Sequence, residues 1–378
     1  MVSRRLIVLA AAVPACLAAS AREPSPPAAP DRRAATVEWE ASTLTLIREG
    51  AGYGRIRRIA GRRLIAVYDL GGEIHISHSR DGGRAWLNGV RAASIPYGHV
   101  TNPDLLVTKR GRALLFFNER PTDGLHLFAI SMSRSDDGGR TWSERRVLSE
   151  ADARFENGCW EPAAVEMPDG EIRLVFANES PYRSSAEQEI SMMSSRDEGT
   201  TWTQPCPVSF RPGGRDGMPV PALIGRRRRM HIAIEDSGLS GLMKPVIIRV
   251  GKDLPVRPGS ADRWPALRRQ RAPEVNVAAP YLVQMPTGET VLSCQSTEGA
   301  RRARLVVFVG DADARNFDGA SEPFAIPRDV EGLWNSLFVK GRDTVTAVSS
   351  TKLRGRGGLW AVDGRVRASA ELGGAARP

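Results

Sequence analysis

The stretch Ser135–Trp142 reads SDDGGRTW, and near copies stand at Ser79–Trp86 (SRDGGRAW) and Ser195–Trp202 (SRDEGTTW). In the shared pattern S-x-D-x-G-x-T-W, the Ser and Asp side chains can accept hydrogen bonds from the amides of a tight turn. The Gly takes the left-handed conformation and the Trp supplies a large apolar anchor. Such a string closes a hairpin, and its recurrence makes the chain a repeat protein.

A second repeat runs in register with the first. Gly61, Gly111, Gly170, Gly225, Gly288 and Gly341 each separate two short apolar runs, as in LLVTKRGRALLFF and AVEMPDGEIRLVF, at intervals of 50 to 63 residues. Each is read as a hairpin whose turn needs a residue tolerant of positive φ. A third strand follows, as in LHLFAISMS and QEISMMSS, and in three copies the eight-residue string comes next. No helical periodicity is sustained. Six units of about 50 residues with four short strands each predict an all-β, six-bladed β-propeller with four-stranded antiparallel blades. TVEWEASTLTLI, from Thr36 to Ile47, is expected to supply the outer strand that closes the ring.

The rest of the chain narrows the class. Of 378 residues, 41% are hydrophobic and the net charge is +10, but the arginines are dispersed. The dense run Arg226–Arg229 follows Gly225 at a predicted turn, so no nucleic-acid partner is expected. MVSRRLIVLAAAVPACLAASA has the charged start, short apolar stretch and small-residue end of a secretory signal, too short for a membrane span. The expected organisation is a signal at 1–21, a Pro-rich linker at 22–36 and the propeller at 37–372, in an exported monomer. Lipid attachment at Cys16 is the lesser alternative. Cys159, Cys206 and Cys294 are not spaced for a metal site, and at most one disulfide can join them. His75 and His78 fall on opposite faces of a strand. Neither metal nor cofactor is expected.

In a propeller the first strand of each blade lines the channel and runs antiparallel to the second. Starts of first strands and ends of second strands therefore share one face. The starts place Tyr53, Arg55, Asn102, Asp104, Trp160, Glu161, Arg215, Asp216, Tyr281, Trp334 and Asn335 there. The ends add Asp69, Asn118, Glu119, Arg120, Glu179, Glu235, Asp236, Gln295, Glu298, Ser350 and Thr351. Singly, each acid is an ordinary solvated or turn-capping residue. Together they form paired carboxyls beside aromatic platforms, which is what cleavage of a glycosidic bond requires. Cys159, with no His beside it in this map, is read as a buried small residue.

The eight-residue string resembles the Asp-box of sialidases and related propellers. The WEP and MPDG around Glu161, the GMPVPAL and IAIE leading to Glu235, and the APYLVQMPTGETVLSCQSTEG and LWNSLFV segments resemble the six-bladed exo-α-1,5-L-arabinanases and their bacterial relatives. The resemblance covers Val37 to Gly364. It implies a retaining exo-glycosidase acting on arabinan-like chains, with Glu161 and Glu235 as nucleophile and acid/base. Glu161 is taken as the nucleophile, although the residues themselves do not order the pair. Ile234 and Asp236 flank the second acid where the family pattern has an aromatic before it. Tyr53, Arg55, Asn102, Asp104, Arg120, Trp160, Glu179, Arg215, Asp216, Tyr281, Gln295, Trp334 and Asn335 are the expected substrate contacts. For Arg215 and Asp216, pairing with each other is an equal alternative. Two other readings stay open: a sialidase, with Arg55, Arg120 and Arg215 gripping an anionic sugar, and a non-catalytic carbohydrate-binding propeller.

Overall fold

The structure, a computed structural model, describes residues 35–251, 254, 259 and 261–367. The expected signal, nearly all of the linker, and Cys16 lie outside these residues. The chain forms six antiparallel sheets. Blade 1 comprises Gly52–Ala60, Arg63–Leu70, Glu73–Ser79 and Val90–Ala93. Blade 2 comprises Gly98–Val107, Ala113–Pro121, Ala129–Ser135 and Arg146–Glu150. Blades 3, 4 and 5 begin at Cys159–Glu166, Asp216–Ile224 and Val277–Gln284 and have the same strand order. Blade 6 has Gly332–Val339, Thr344–Leu353 and Arg356–Arg367. Its outer edge is completed from the other end of the chain by Thr36–Trp39 and Thr45–Glu49, both antiparallel to Arg356–Arg367. The six-bladed, four-stranded propeller expected from the repeats is the fold. Its ring is closed by the segment predicted to close it, with the first strand starting at Thr36.

The second strand of each blade, such as ALLFF, is apolar on both faces because it is covered on both sides. Leu115 and Phe117 pack towards blade 1, whereas Leu114 and Phe116 pack towards blade 3. The core is accordingly divided into wedges between neighbouring blades.

The repeated strings connect third to fourth strands on the face opposite the strand starts. Ser135 Oγ accepts the Gly139 amide at 2.8 Å, and Asp137 Oδ1 accepts those of Arg140 and Thr141 at 2.9 and 3.0 Å. Ser195 and Asp197 repeat this arrangement, as do Ser79 and Asp81. Trp142 and Trp202 donate to the carbonyls of Gly139 and Gly199. Trp202 also meets Phe116 of the preceding blade edge-on at 5.8 Å. In blade 5 the degenerate string keeps the geometry: Asp311 accepts the Asp313 and Arg315 amides, and Phe317 takes the anchor position.

Five of the six hairpin glycines have positive φ; Gly341 does not, because the amides of Lys340 and Gly341 both turn back to the Thr344 carbonyl. Arg226–Arg229 span such a hairpin turn and its edge, largely exposed. Cys159, Cys206 and Cys294 are unpaired. Among the described residues no helix is long and apolar enough to cross a membrane.

Candidate active site

Each inner strand breaks its register near its start, and that of blade 1 breaks again at Arg58/Ala60. The breaks near the starts lie at Gly52/Arg55, Thr101/Asp104, Trp160/Ala163, Gly217/Val220, Ala278/Tyr281 and Leu333/Ser336. The residue inside each break has positive φ: Tyr53 49°, Asn102 51°, Glu161 58°, Met218 48°, Ala279 49° and Trp334 52°. These are β-bulges with a non-glycine residue in the left-handed region, a conformation that costs about 1 kcal/mol or more. Strain of this kind concentrates where a side chain must be aimed. Here Tyr53, Met218 and Ala279, from three different blades, form one buried cluster, and Trp334 leans on Tyr53. Pro103, Pro162, Pro219 and Pro280 follow the bulge residue in four blades, at a point where the broken ladder needs no amide donor.

A second ring comes from the residue paired with the position just before each bulge: Asp69, Asn118, Ala177, Glu235, Gln295 and Ser350. Three of the polar members bond to the next blade. Asn118 donates to the Cys159 carbonyl at 2.7 Å, Asp69 accepts from Thr101 at 2.7 Å, and Glu235 accepts the Ala279 amide at 2.8 Å. Glu161 belongs to the first ring and Glu235 to the second, one blade on.

Glu161 Oε2 accepts the Met218 amide at 2.9 Å. A Cβ on Gly217 would stand 3.1 Å from Glu235 Oε1. Both carboxyls thus close on the Gly217–Met218 peptide from neighbouring blades. Both are half-buried. Loss of hydration at the channel mouth pushes both carboxyls up from the usual range, and the charge of Glu235 pushes Glu161 further. Two such groups hold one proton between them more readily than none. Arg120 and the Met218 amide oppose this at Glu161, and the Ala279 amide and Arg215 oppose it at Glu235.

Trp334 is 41% exposed and leans on Tyr53, with ring centres 5.8 Å apart. Trp160 is buried beneath Phe155, which is exposed, at 4.8 Å between centres. Arg120 lies over Trp160 at 5.0 Å and donates to Asn118 and Asn102. Arg215 binds Glu179 and Gln188. Gln295 is buried at its ring position, with Nε2 unpartnered.

Several expected substrate contacts are instead structural supports. Asp216 is 0% exposed and is locked to Arg263 and Ser209, with Asp236 and Arg211 completing the cluster. It does not pair with Arg215. Asp104 is sealed between Arg57 at 2.8 Å and the Ala164 amide at 2.9 Å. Asn335 bridges Ser293 and the Ala279 carbonyl. Arg55 is sandwiched between Tyr53 and Tyr281, at 4.2 and 5.0 Å from the ring centres, and donates to backbone carbonyls. Glu119, grouped with the site face, is buried against Tyr97, Ser131 and Arg145. Cys159 is sealed, and burial pushes its thiol far up from the ordinary range. Sequence reasoning missed the Met218 and Ala279 amides, Arg263 and Gln188. The first two were legible as a repeated X-Pro at the strand starts; the last two carry no repeat signal.

A crevice of about 830 Å³ lies on the opposite face between blades 6 and 1. Within it Lys340 pairs with Asp363, and Arg62 donates to the Asp81 carbonyl. No carboxyl pair like that of the channel mouth faces it.

Residues 111–224 match the BNR repeat-like domain, a span that holds two of the three repeated strings. No curated protein sequence matches the chain significantly. Among solved structures, the chain is similar to the GH93 α-L-arabinofuranosidase of Fusarium graminearum in complex with arabinobiose (18% identity, 89% of this chain and 98% of that one, TM-score 0.67). It is also similar to the Penicillium chrysogenum α-L-arabinanase complexed with arabinobiose (18%, 89% and 98%, TM-score 0.65). The NanB sialidase of Streptococcus pneumoniae is more distant (11%, 85% and 70%, TM-score 0.58). The chain therefore carries a BNR repeat-like segment within a six-bladed propeller fold that it shares with arabinofuranosidases, arabinanases and sialidases.

Proposed function

We propose that this protein is an exported, exo-acting glycoside hydrolase that cleaves a neutral, arabinan-like sugar chain by a retaining mechanism. The observation that carries the reading is the closure of Glu161 and Glu235 on one peptide unit; burial pushes both carboxyls up, which favours one of them carrying a proton. One carboxylate attacks the anomeric carbon as the other, protonated, gives its proton to the departing glycosidic oxygen. The second then takes a proton from water as the water displaces the enzyme-bound sugar. Glu161 is assigned the attack and Glu235 the proton transfer.

A neutral substrate is favoured because the guanidinium groups are already engaged. Arg55 lies between two tyrosines, Arg120 serves two asparagines, and Arg215 binds Glu179. A sugar carboxylate needs a free bidentate fork. Tyr53, which feels the charge of Glu161, is held protonated by burial.

The test is incubation of the purified protein with linear α-1,5-arabinan and, separately, with a sialoside. Release of a short oligosaccharide from arabinan, lost in Glu161→Gln and Glu235→Gln, is the expected result. Turnover of the sialoside alone, or binding of glycans without turnover, overturns it.

A further inference from the structure

The propeller face away from the acids carries two crevices built from the same parts. Each lies where the hairpin of one blade meets the hairpin and the repeated string of the next. The one between blades 2 and 3, of about 490 Å³, is lined by Arg110, Arg112 and Arg196. Carboxylates answer all three. Glu198 lies by Arg110 and Arg112, Asp136 meets Arg112 at 2.7 Å, and Glu171 meets Arg196 at 3.3 Å. The one between blades 6 and 1, of about 830 Å³, is lined by Arg58, Arg62 and Arg84. Among the described residues none of these three is ion-paired to a carboxylate, because the acids of this crevice are engaged elsewhere. Asp81 accepts Ser79 Oγ and the Arg84 and Ala85 amides of its own string. Asp363 is held by Lys340 and Thr346, and Glu40 binds Arg365 at 2.7 Å.

Two of the guanidinium groups are fixed in place. Arg58 lies over Phe338, 5.4 Å from the ring centre, and donates to the carbonyls of Gly61 and Lys340. Arg62 donates to the Asp81 carbonyl at 2.7 Å. A carbonyl orients a guanidinium without cancelling its charge, and each group keeps N–H donors for a further acceptor. Arg58, Arg62 and Arg84 are all exposed. Ser42 and Thr45, on the segment that closes the ring, add hydroxyls to one wall, and the half-buried Trp86 adds an indole. Planar forks suit carboxylates, whereas hydroxyls beside an indole suit sugar rings. The volume is that of an ordinary ligand site.

We propose that the crevice between blades 6 and 1 is a second, non-catalytic glycan site that takes an acidic polysaccharide, with uronate carboxylates on Arg58, Arg62 and Arg84. It goes beyond the glycosidase reading and does not depend on it, since no group of the channel mouth takes part. A polymer held there leaves the face that carries the acids open.

The experiment titrates the purified protein with polygalacturonate in a calorimeter at low and moderate salt, with dextran, double-stranded DNA and inorganic phosphate as comparison ligands. Polygalacturonate binds, more weakly as salt rises, and dextran does not. The triple variant Arg58→Gln, Arg62→Gln, Arg84→Gln weakens binding roughly tenfold, as loss of three exposed ion pairs implies. The triple variant Arg110→Gln, Arg112→Gln, Arg196→Gln has the same change in net charge and leaves binding unchanged. Arg84→Gln alone removes an exposed side chain and keeps the amide bond to Asp81. It weakens binding roughly twofold with Tm unchanged, whatever the triple variant does to folding. Absence of polygalacturonate binding, equal losses in the two triple variants, tighter binding of DNA, or full displacement by millimolar phosphate overturns the proposal. The glycosidase reading stands through all of these and fails separately if arabinan is not cleaved.

Discussion

Glu161 and Glu235 sit on neighbouring blades in two different rings, yet they meet at one peptide. The Met218 amide donates to Glu161 at 2.9 Å, and the missing side chain of Gly217 leaves Glu235 its place. A left-handed bulge aims the first acid, and the bulge amide of the following blade holds the second. Repeating the same strand break around the ring thus places two unlike positions side by side.

Replacing either acid by Gln removes the chemistry without emptying space. Glu161→Gln and Glu235→Gln should each lower kcat by a factor of about 10³ or more, with Tm unchanged or raised, because a repelling pair of half-buried carboxyls is relieved. Added azide assigns the roles. Rescue of Glu161→Ala with an inverted glycosyl azide product marks Glu161 as nucleophile, and rescue of Glu235→Ala with retained configuration marks Glu235 as acid/base. The opposite products exchange the assignments.

The pair also sets a pH dependence. Burial, and after it the charge of Glu235, pushes the Glu161 carboxyl up to about 8, from an ordinary value of about 4.3. Between those values the folded protein holds more protons than the unfolded chain, so this group's contribution to stability is full below the unfolded pKa and is lost as pH rises through the folded one. Activity falls over the upper part of that range as the pair loses its proton. Tm and kcat measured from pH 4 to 9 should both decline on the alkaline side. Glu161→Gln should flatten the Tm curve there.

Gly217→Ala tests the shared peptide. The new Cβ would lie 3.0 Å from Gln188 Nε2 and 3.1 Å from Glu235 Oε1, both side-chain atoms that can shift. The backbone at Gly217 is not in the left-handed region, so the fold tolerates the methyl. Displacing Glu235 by a fraction of an ångström should lower kcat roughly 10- to 100-fold with little change in Tm. An unchanged kcat would separate Glu235 from the chemistry.

The outer clasps should behave in the opposite way. Trp202→Ala removes an anchor that meets Phe116 and donates to the Gly199 carbonyl. A loss of about 3 kcal/mol in denaturant unfolding is expected. Under conditions where the variant stays folded, kcat and KM should equal those of the wild type, since the clasp lies on the face away from the acids.

The repeated string and the hairpin glycines were sufficient for blade number, strand count and the closing segment. All are local, periodic features with one physical cause per residue: a turn amide accepted by Ser or Asp, a φ allowed by Gly, an anchor given by Trp. The face that carries the acids was legible too, because strand direction alternates along a propeller. The bulges were not read, although Asn102-Pro103, Glu161-Pro162, Met218-Pro219 and Ala279-Pro280 mark four of them in phase with the blades.

Which polar residues face the substrate was decided by the tertiary structure. Asp104, Asp216 and Asn335 have the composition of ligands, but their partners come from distant parts of the chain: Arg57, Arg263 and Ser293. A charged residue at a strand start points into solvent or into an ion pair according to what a neighbouring blade brings to it, and no local pattern carries that information. The sequence by itself determined the repeating blade, because hairpins and turns are settled within a few residues. The pairing of Glu161 with Glu235 was decided only when the ring closed and separate blades came into contact.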